Sequence, residues 1–100
     1  MDNRKLFSLI LGRTIRKNRI AKGLTLEELA SIIKMDDKHL GKVERGEKTP
    51  GSYTLTRLQI ALKFNSDEFI HEFVEKKKKV IIGKELSFQL SEVLPVYKVR

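Results

Sequence analysis

Residues 23–46 read GLTLEELASIIKMDDKHLGKVERG, and this stretch contains two positions at which a helix can begin. Thr25 and Glu28 form a capping box, in which the threonine hydroxyl accepts from a backbone N–H and the glutamate reaches back to the threonine N–H. Asp36 is a second cap, because its carboxylate accepts from free N–H groups and lies at the positive end of a helix dipole. The stretch therefore predicts two short, consecutive helices.

The second of these helices, which should run to about Arg45, carries two different faces. Leu40 and Val43 are three residues apart and share an apolar face. Lys38, Lys42 and Arg45 follow the i, i+4, i+7 spacing of a separate, basic face. The pattern predicts that one face packs in a core and that the other is free to meet a partner.

Apolar residues at helical spacing continue on both sides of this stretch. They predict a first helix over residues 6–21, ended by a left-handed cap at Gly23, and a fourth over 55–62. A fifth helix should begin at Asn65 or Ser66. The first helix starts with more apolar residues than a five-helix core requires. We expect them to pack within the monomer, with the tail or a second subunit as alternatives; they are Leu6, Phe7 and Ile10.

The character of the chain changes near residue 75. We predict an all-α domain over 1–75 and, over 76–100, a basic linker and C-terminal extension that could serve dimerisation. The four lysines at 76–79 fit either a phosphate-binding arm or a solvated linker. The extension fits a β-hairpin turning at Gly83-Lys84, although its apolar spacing would also suit a helix up to Pro95.

Composition limits the classes of protein that this chain can be. One hundred residues with 40% apolar content suffice for one core and exclude a large multidomain enzyme. The absence of cysteine excludes disulfides and thiolate metal sites, and no apolar run is long enough for a signal peptide or a membrane span. We therefore expect a cytoplasmic protein. The net charge of +8 is uneven, with +6 over 1–22, −1 over 23–50, −2 over 51–75 and +5 over 76–100, so it supports an anionic partner only in part.

Residues suited to catalysis or metal binding do not form a recognisable set. His39 and His71 fall on different predicted helices without a suitable second ligand at i, i+4. The serines have no plausible base partner, and Glu27-Glu28 is better explained by helix capping than as a glycosidase pair. We predict no enzymatic activity, no metal, no cofactor and no small-molecule ligand.

An ordered set of residues spanning about 11–70 resembles the Cro/repressor-type (XRE-like) helix-turn-helix family of phage and bacterial regulators. The resemblance implies a five-helix, lambda-repressor-like fold that binds double-stranded DNA, with the third helix as the recognition helix. The residues that carry it are Leu11-Gly12, Ile15-Arg16, Arg19, Gly23-Leu24-Thr25, Glu27-Glu28-Leu29-Ala30, Leu40, Val43-Glu44-Arg45-Gly46, Pro50 and Leu55.

The resemblance also implies roles for individual residues. Arg19 and Glu44 match a buried ion pair that ties the first helix to the end of the recognition helix. Lys38 and Lys42 can donate to guanine O6 and N7, whereas Asp37 can only accept, for example from cytosine N4. The positions implied to contact base edges are Asp37, Lys38 and Lys42, and those implied to contact phosphates are His39, Arg45, Lys48, Thr49 and Ser52.

Three features depart from the family pattern. Leu26 replaces a glutamine that usually touches the DNA backbone and supports a recognition side chain. Lys34 stands where glycine commonly makes the turn, and a left-handed conformation there would cost roughly 1–2 kcal/mol. Asp36 and Asp37 place two carboxylates near the groove, where they would repel phosphates.

The leading functional hypothesis is a homodimeric transcriptional regulator that reads two half-sites about 34 Å apart on a near-palindromic operator. One alternative is a protein-interaction module of the same fold, such as an antitoxin-like adaptor. The other is that Arg100 is a truncation point, which would make the chain the DNA-reading head of a longer regulator.

Overall fold

A computed structural model describes residues 2–81, with side chains described through Lys77. In this part of the chain there are five α-helices and no strand, which confirms the predicted all-α fold. The helices are α1 (Asn3–Ala21), α2 (Leu26–Ile33), α3 (Asp37–Glu44), α4 (Ser52–Leu62) and α5 (Ser66–Ile81).

The helix starts follow from the capping residues in the sequence. The Glu28 N–H donates to Thr25 Oγ1 at 3.0 Å and the Thr25 N–H to Glu28 Oε1 at 2.8 Å, so the predicted capping box is present. Asp36 accepts from the His39 N–H at 3.3 Å and thereby begins α3. Since these bonds join residues three apart, local sequence is enough to place the first turns of α2 and α3.

All five helices contribute buried side chains to one core. α1 contacts α3, α4 and α5, while α2 contacts α3 and α4. The largest fully buried side chains come from all of the first four helices; they are Ile10, Leu11, Ile15, Leu29, Leu40, Val43, Leu58 and Leu62. Burying this apolar surface is the main favourable contribution to the fold.

An aromatic cluster attaches α5 to the start of α1. The Phe7 ring lies 5.7 Å from those of Phe69 and Phe73, edge to face in both pairs, and Phe64 meets Phe69 at 6.3 Å. Such geometry is favourable because the positive edge of one ring faces the negative face of the other. The apolar start of α1, including the fully buried Ile10, thus packs within the monomer as expected.

The end of α5 differs from the sequence prediction. The helix continues through the four lysines to Ile81, so Val80 and Ile81 are helical rather than part of a hairpin strand. The Lys77 ammonium donates to Asn3 Oδ1 at 2.6 Å, which joins the lysine segment to the first turn of α1. The remainder of the suggested hairpin, including Gly83-Lys84, lies outside the described residues.

The turn between α2 and α3 contains a left-handed lysine. Lys34 has φ 58° and ψ 52°, a conformation in which its Cβ crowds the following carbonyl at a cost of roughly 1–2 kcal/mol. Met35 compensates by donating its N–H to the Ala30 carbonyl at 2.8 Å, which closes the end of α2. The turn is therefore made by hydrogen bonding despite the absence of glycine.

Candidate nucleic-acid interface

The two faces of α3 have opposite environments. Leu40 and Val43 are 0% exposed, packed against the core. Lys38 and Lys42 are exposed on the other side of the same helix. The basic face is therefore available to an external partner because the apolar face is committed to the core.

A close backbone approach holds the end of α3 against α1. A Cβ added at Gly12 would lie 2.4 Å from the Val43 carbonyl oxygen and 2.6 Å from that of Glu44. No real side chain tolerates such distances, so glycine is required for α1 to pass this close to α3. Gly12 is one of the residues on which the family resemblance rests, but its packing role becomes visible only in the structure.

Arg19 and Glu44 make the second connection between α1 and α3. Arg19 Nε donates to Glu44 Oε2 at 2.7 Å, and Nη2 donates to Oε1 at 3.0 Å. The remaining nitrogen, Nη1, donates to the Leu24 carbonyl at 2.9 Å and so also holds the turn after α1. The hydrogen bonds from Glu44 raise the pKa of the Arg19 guanidinium, against the opposing effect of burial. The side chains are only 13% and 6% exposed, so this is a bidentate ion pair largely removed from water.

Arg45 takes part in a second ion pair, at the surface just after α3. Its Nε donates to Glu47 Oε2 at 2.8 Å, and its Nη2 to Oε1 at 3.4 Å. This hydrogen bonding raises the pKa of Arg45 and lowers that of Glu47. Because both side chains are more than half exposed, water and salt compete with the pair and Arg45 can exchange its partner at little cost.

The other residues expected to contact DNA lie on or beside α3, but in different settings. His39 and Lys48 are exposed, and Asp37 in the first turn of α3 is half-buried. Thr49 is engaged elsewhere, since its hydroxyl forms a hydrogen bond with that of Ser8 on α1. Ser52 is the first residue of α4, whose cap residue Gly51 has no side chain to satisfy the free N–H groups.

Two cations that the sequence analysis did not assign to the interface lie close to it. Arg4 and Lys5, in the first turn of α1, line a cleft together with Arg45 and Glu47. The +6 charge of residues 1–22 was the available signal. It could not be assigned to a surface without knowing that the start of α1 lies beside the end of α3.

Comparison with known protein families agrees with this geometry. A helix-turn-helix family model matches residues 15–69, which include the whole of α2, α3 and α4. The chain belongs to the XRE-type helix-turn-helix family. It is a DNA-binding regulator of a family that is generally non-enzymatic. A search of curated proteins finds no match to the chain.

The described residues of the helix-turn-helix protein also bear on membrane insertion and on metal binding. Over residues 2–81, none of the helices is both long and apolar enough to cross a membrane. Within the same range, no group of three or more histidine, aspartate or glutamate side chains is arranged to hold a metal ion.

Proposed function

We propose that the protein is a sequence-specific transcriptional regulator that binds double-stranded DNA as a homodimer on a near-palindromic operator, in the cytoplasm. In this proposal α3 enters the major groove, with Asp37, Lys38 and Lys42 at base edges. The phosphate contacts come from His39, Arg45, Lys48, Thr49 and Ser52.

The observation that carries the proposal is the division of α3 into a buried apolar face and an exposed basic face. Leu40 and Val43 are fully buried, which fixes the rotation of the helix about its axis. Gly12 and the Arg19–Glu44 pair hold the end of α3 on α1. A recognition helix must be held in this way, because a small rotation would move Lys38 and Lys42 out of hydrogen-bonding reach of base edges.

The phosphate contacts have support of a different kind. Arg45 is held only by an exposed partner, so a phosphate can replace Glu47. The start of α4, beside Ser52, has free N–H groups and the positive end of the helix dipole, both of which favour an anion. We assign Thr49 to this region as well, although its hydroxyl must then share its hydrogen bonding with Ser8.

Support for a homodimer comes from apolar surface on α4. Tyr53 and Ile60 are seven residues apart, therefore on one face of the helix, and are 72% and 70% exposed. Arg57 lies between them with its guanidinium 5.6 Å from the centre of the Tyr53 ring, so this face offers a second copy two exposed apolar side chains beside a cation. Ile60→Glu should therefore leave the monomer folded but reduce its solution mass to that of one chain and weaken operator binding.

The central experiment combines selection of bound duplexes from a random pool with the solution mass of the free protein. We expect an enriched, near-palindromic sequence with half-sites about 34 Å apart and a mass of two chains. Equal binding of all duplexes would contradict the regulator proposal. A stoichiometric protein partner without a DNA shift at low salt would favour the adaptor alternative instead.

Substitutions on α3 test the assignment of base contacts. Lys42→Ala or Lys38→Ala should cost roughly 1–3 kcal/mol on the selected operator and relax the sequence preference at one position in each half-site. Lys17→Ala is a suitable control. It also removes one exposed lysine, but from the side of α1 that faces Glu68 and Glu72. If the control and the α3 variants weakened all duplexes equally, the two lysines would contribute charge but no base recognition.

A further inference from the structure

A shallow depression lies in the DNA-facing surface between the first turn of α2 and the middle of α3. Its position places it within the surface that we assign to the major groove. Its lining combines one apolar side chain and a glycine with four charged residues; the residues are Leu26, Asp37, Lys38, Gly41, Lys42 and Arg45.

The floor of the depression depends on Gly41. A Cβ added at this buried glycine would lie 3.5 Å from Leu26 Cδ2 and 3.2 Å from Arg45 Nη1. The missing side chain therefore leaves the leucine methyl groups open to whatever approaches α3. Leu26 is half-buried, with one part packed on the core and the rest facing the depression.

The Leu26 side chain has no hydrogen-bonding group, so it can neither hold a phosphate nor support a polar recognition side chain. The lining has three cations, Lys38, Lys42 and Arg45, and one carboxylate, that of Asp37. This charge favours a polyanion as the occupant, and on a duplex the apolar group exposed in the major groove is the C5-methyl of thymine.

We propose that the depression formed by Leu26 and Gly41 accepts the C5-methyl group of a pyrimidine, so that each half-site is read partly by apolar contact with a thymine. This proposal rests on the proposed function, because it requires α3 to lie in the major groove. Lys38 and Lys42 supply hydrogen bonds on either side, while the depression supplies shape and hydrophobic contact. A methyl group removed from water contributes about fourfold in affinity.

The test replaces each thymine of the selected operator, in turn, with deoxyuridine. Deoxyuridine lacks only the methyl group and keeps the same base pairing and the same hydrogen-bonding edge. We expect one position in each half-site at which this change weakens binding by about fourfold. At that position, the thymine–adenine pair is also replaced with a cytosine–guanine pair, either with or without a 5-methyl group on the cytosine. The duplex that contains 5-methylcytosine should bind more tightly than the one that contains cytosine. This comparison distinguishes the methyl group from the rest of the base.

Two variants connect this effect to the depression. Gly41→Ala fills it with a single methyl group and favours the helix, so the protein should remain folded. Its thymine-to-uracil ratio, meaning the affinity for the thymine duplex divided by that for the deoxyuridine duplex, should fall to about one. Leu26→Gln replaces the apolar side chain with an amide and should likewise reduce this ratio to about one. Thermal unfolding of both variants identifies any loss that comes from the fold rather than from the contact.

The outcomes separate the two proposals. If the wild type keeps its sequence preference but binds every thymine and uracil duplex equally, the methyl contact is wrong and the regulator proposal survives. If both variants keep the fourfold preference for thymine over uracil, the methyl group is contacted elsewhere on the surface. The assignment of the depression as its site would then be wrong. If no duplex is preferred at all, both proposals fail.

Discussion

Arg19 and Arg45 each form a hydrogen-bonded ion pair with a glutamate, with closest contacts of 2.7 and 2.8 Å, yet the two pairs have opposite consequences. The side chains of Arg19 and Glu44 are 13% and 6% exposed, whereas those of Arg45 and Glu47 are 59% and 53% exposed. Nearly equal geometry therefore accompanies very different degrees of hydration.

Burial decides what each arginine can do. Breaking the Arg19–Glu44 pair would leave a charge in a poorly hydrated place, so neither partner can be exchanged. Water and salt can replace either partner of the Arg45–Glu47 pair, so Arg45 remains able to bind a phosphate. The first pair holds α3 against α1, and the second leaves Arg45 able to exchange Glu47 for the phosphate that we propose it contacts.

The largest expected effect is the loss of one partner of the buried pair. Arg19→Ala or Glu44→Ala should lower the free energy of unfolding by roughly 3–5 kcal/mol, because the remaining charge is buried without a partner. Arg19→Met combined with Glu44→Leu should recover much of that loss. Denaturant unfolding of the three variants measures this, and additive losses in the double variant would contradict the explanation.

Gly12→Ala should have the next largest effect on stability. Its Cβ would meet backbone carbonyls at 2.4 and 2.6 Å, and separating α1 from α3 should cost roughly 1–3 kcal/mol and weaken the buried ion pair. Gly51→Ala is the matched control, since a Cβ there meets no atom within 4 Å. If both variants unfolded at the same denaturant concentration, the close approach of α1 and α3 would not be required.

Arg45→Ala should separate stability from binding. The thermal unfolding midpoint should not change, whereas affinity for all duplexes should fall together and the salt dependence of binding should lose about one unit of slope. Arg13→Ala serves as a control because Arg13 also lies near an acidic partner, Glu72 at 3.6 Å, but on the α1–α5 side. An equal loss of affinity in the control would mean that Arg45 acts only through net charge.

The smallest expected effect is that of Glu47→Gln. This substitution removes the competing carboxylate, so DNA affinity should rise by about two- to fivefold, with no change in the sequence preference. The comparison is made by titrating the selected operator at low salt. A decrease in affinity would show that Glu47 orients Arg45 for the phosphate instead of competing with it.

Local sequence determined where α2 and α3 begin and which face of α3 is apolar. Thr25 with Glu28 and Asp36 with the His39 N–H act over three residues, so their chemistry can be read directly from the chain. The spacing of Leu40, Val43, Lys38 and Lys42 likewise defined the two faces of α3 before any packing was known. The order of these features was specific enough to indicate the family.

Helix packing decided the rest. The contact of Gly12 with α3, the hydrogen bond of Ser8 with Thr49 and the depression between Leu26 and Gly41 each join residues far apart in sequence. Their existence depends on the distances and angles at which the helices meet, and helical periodicity carries no information on either. The extent of α5 was also missed, because a run of lysines reads as solvated chain until the aromatic contacts that hold the helix on α1 are known.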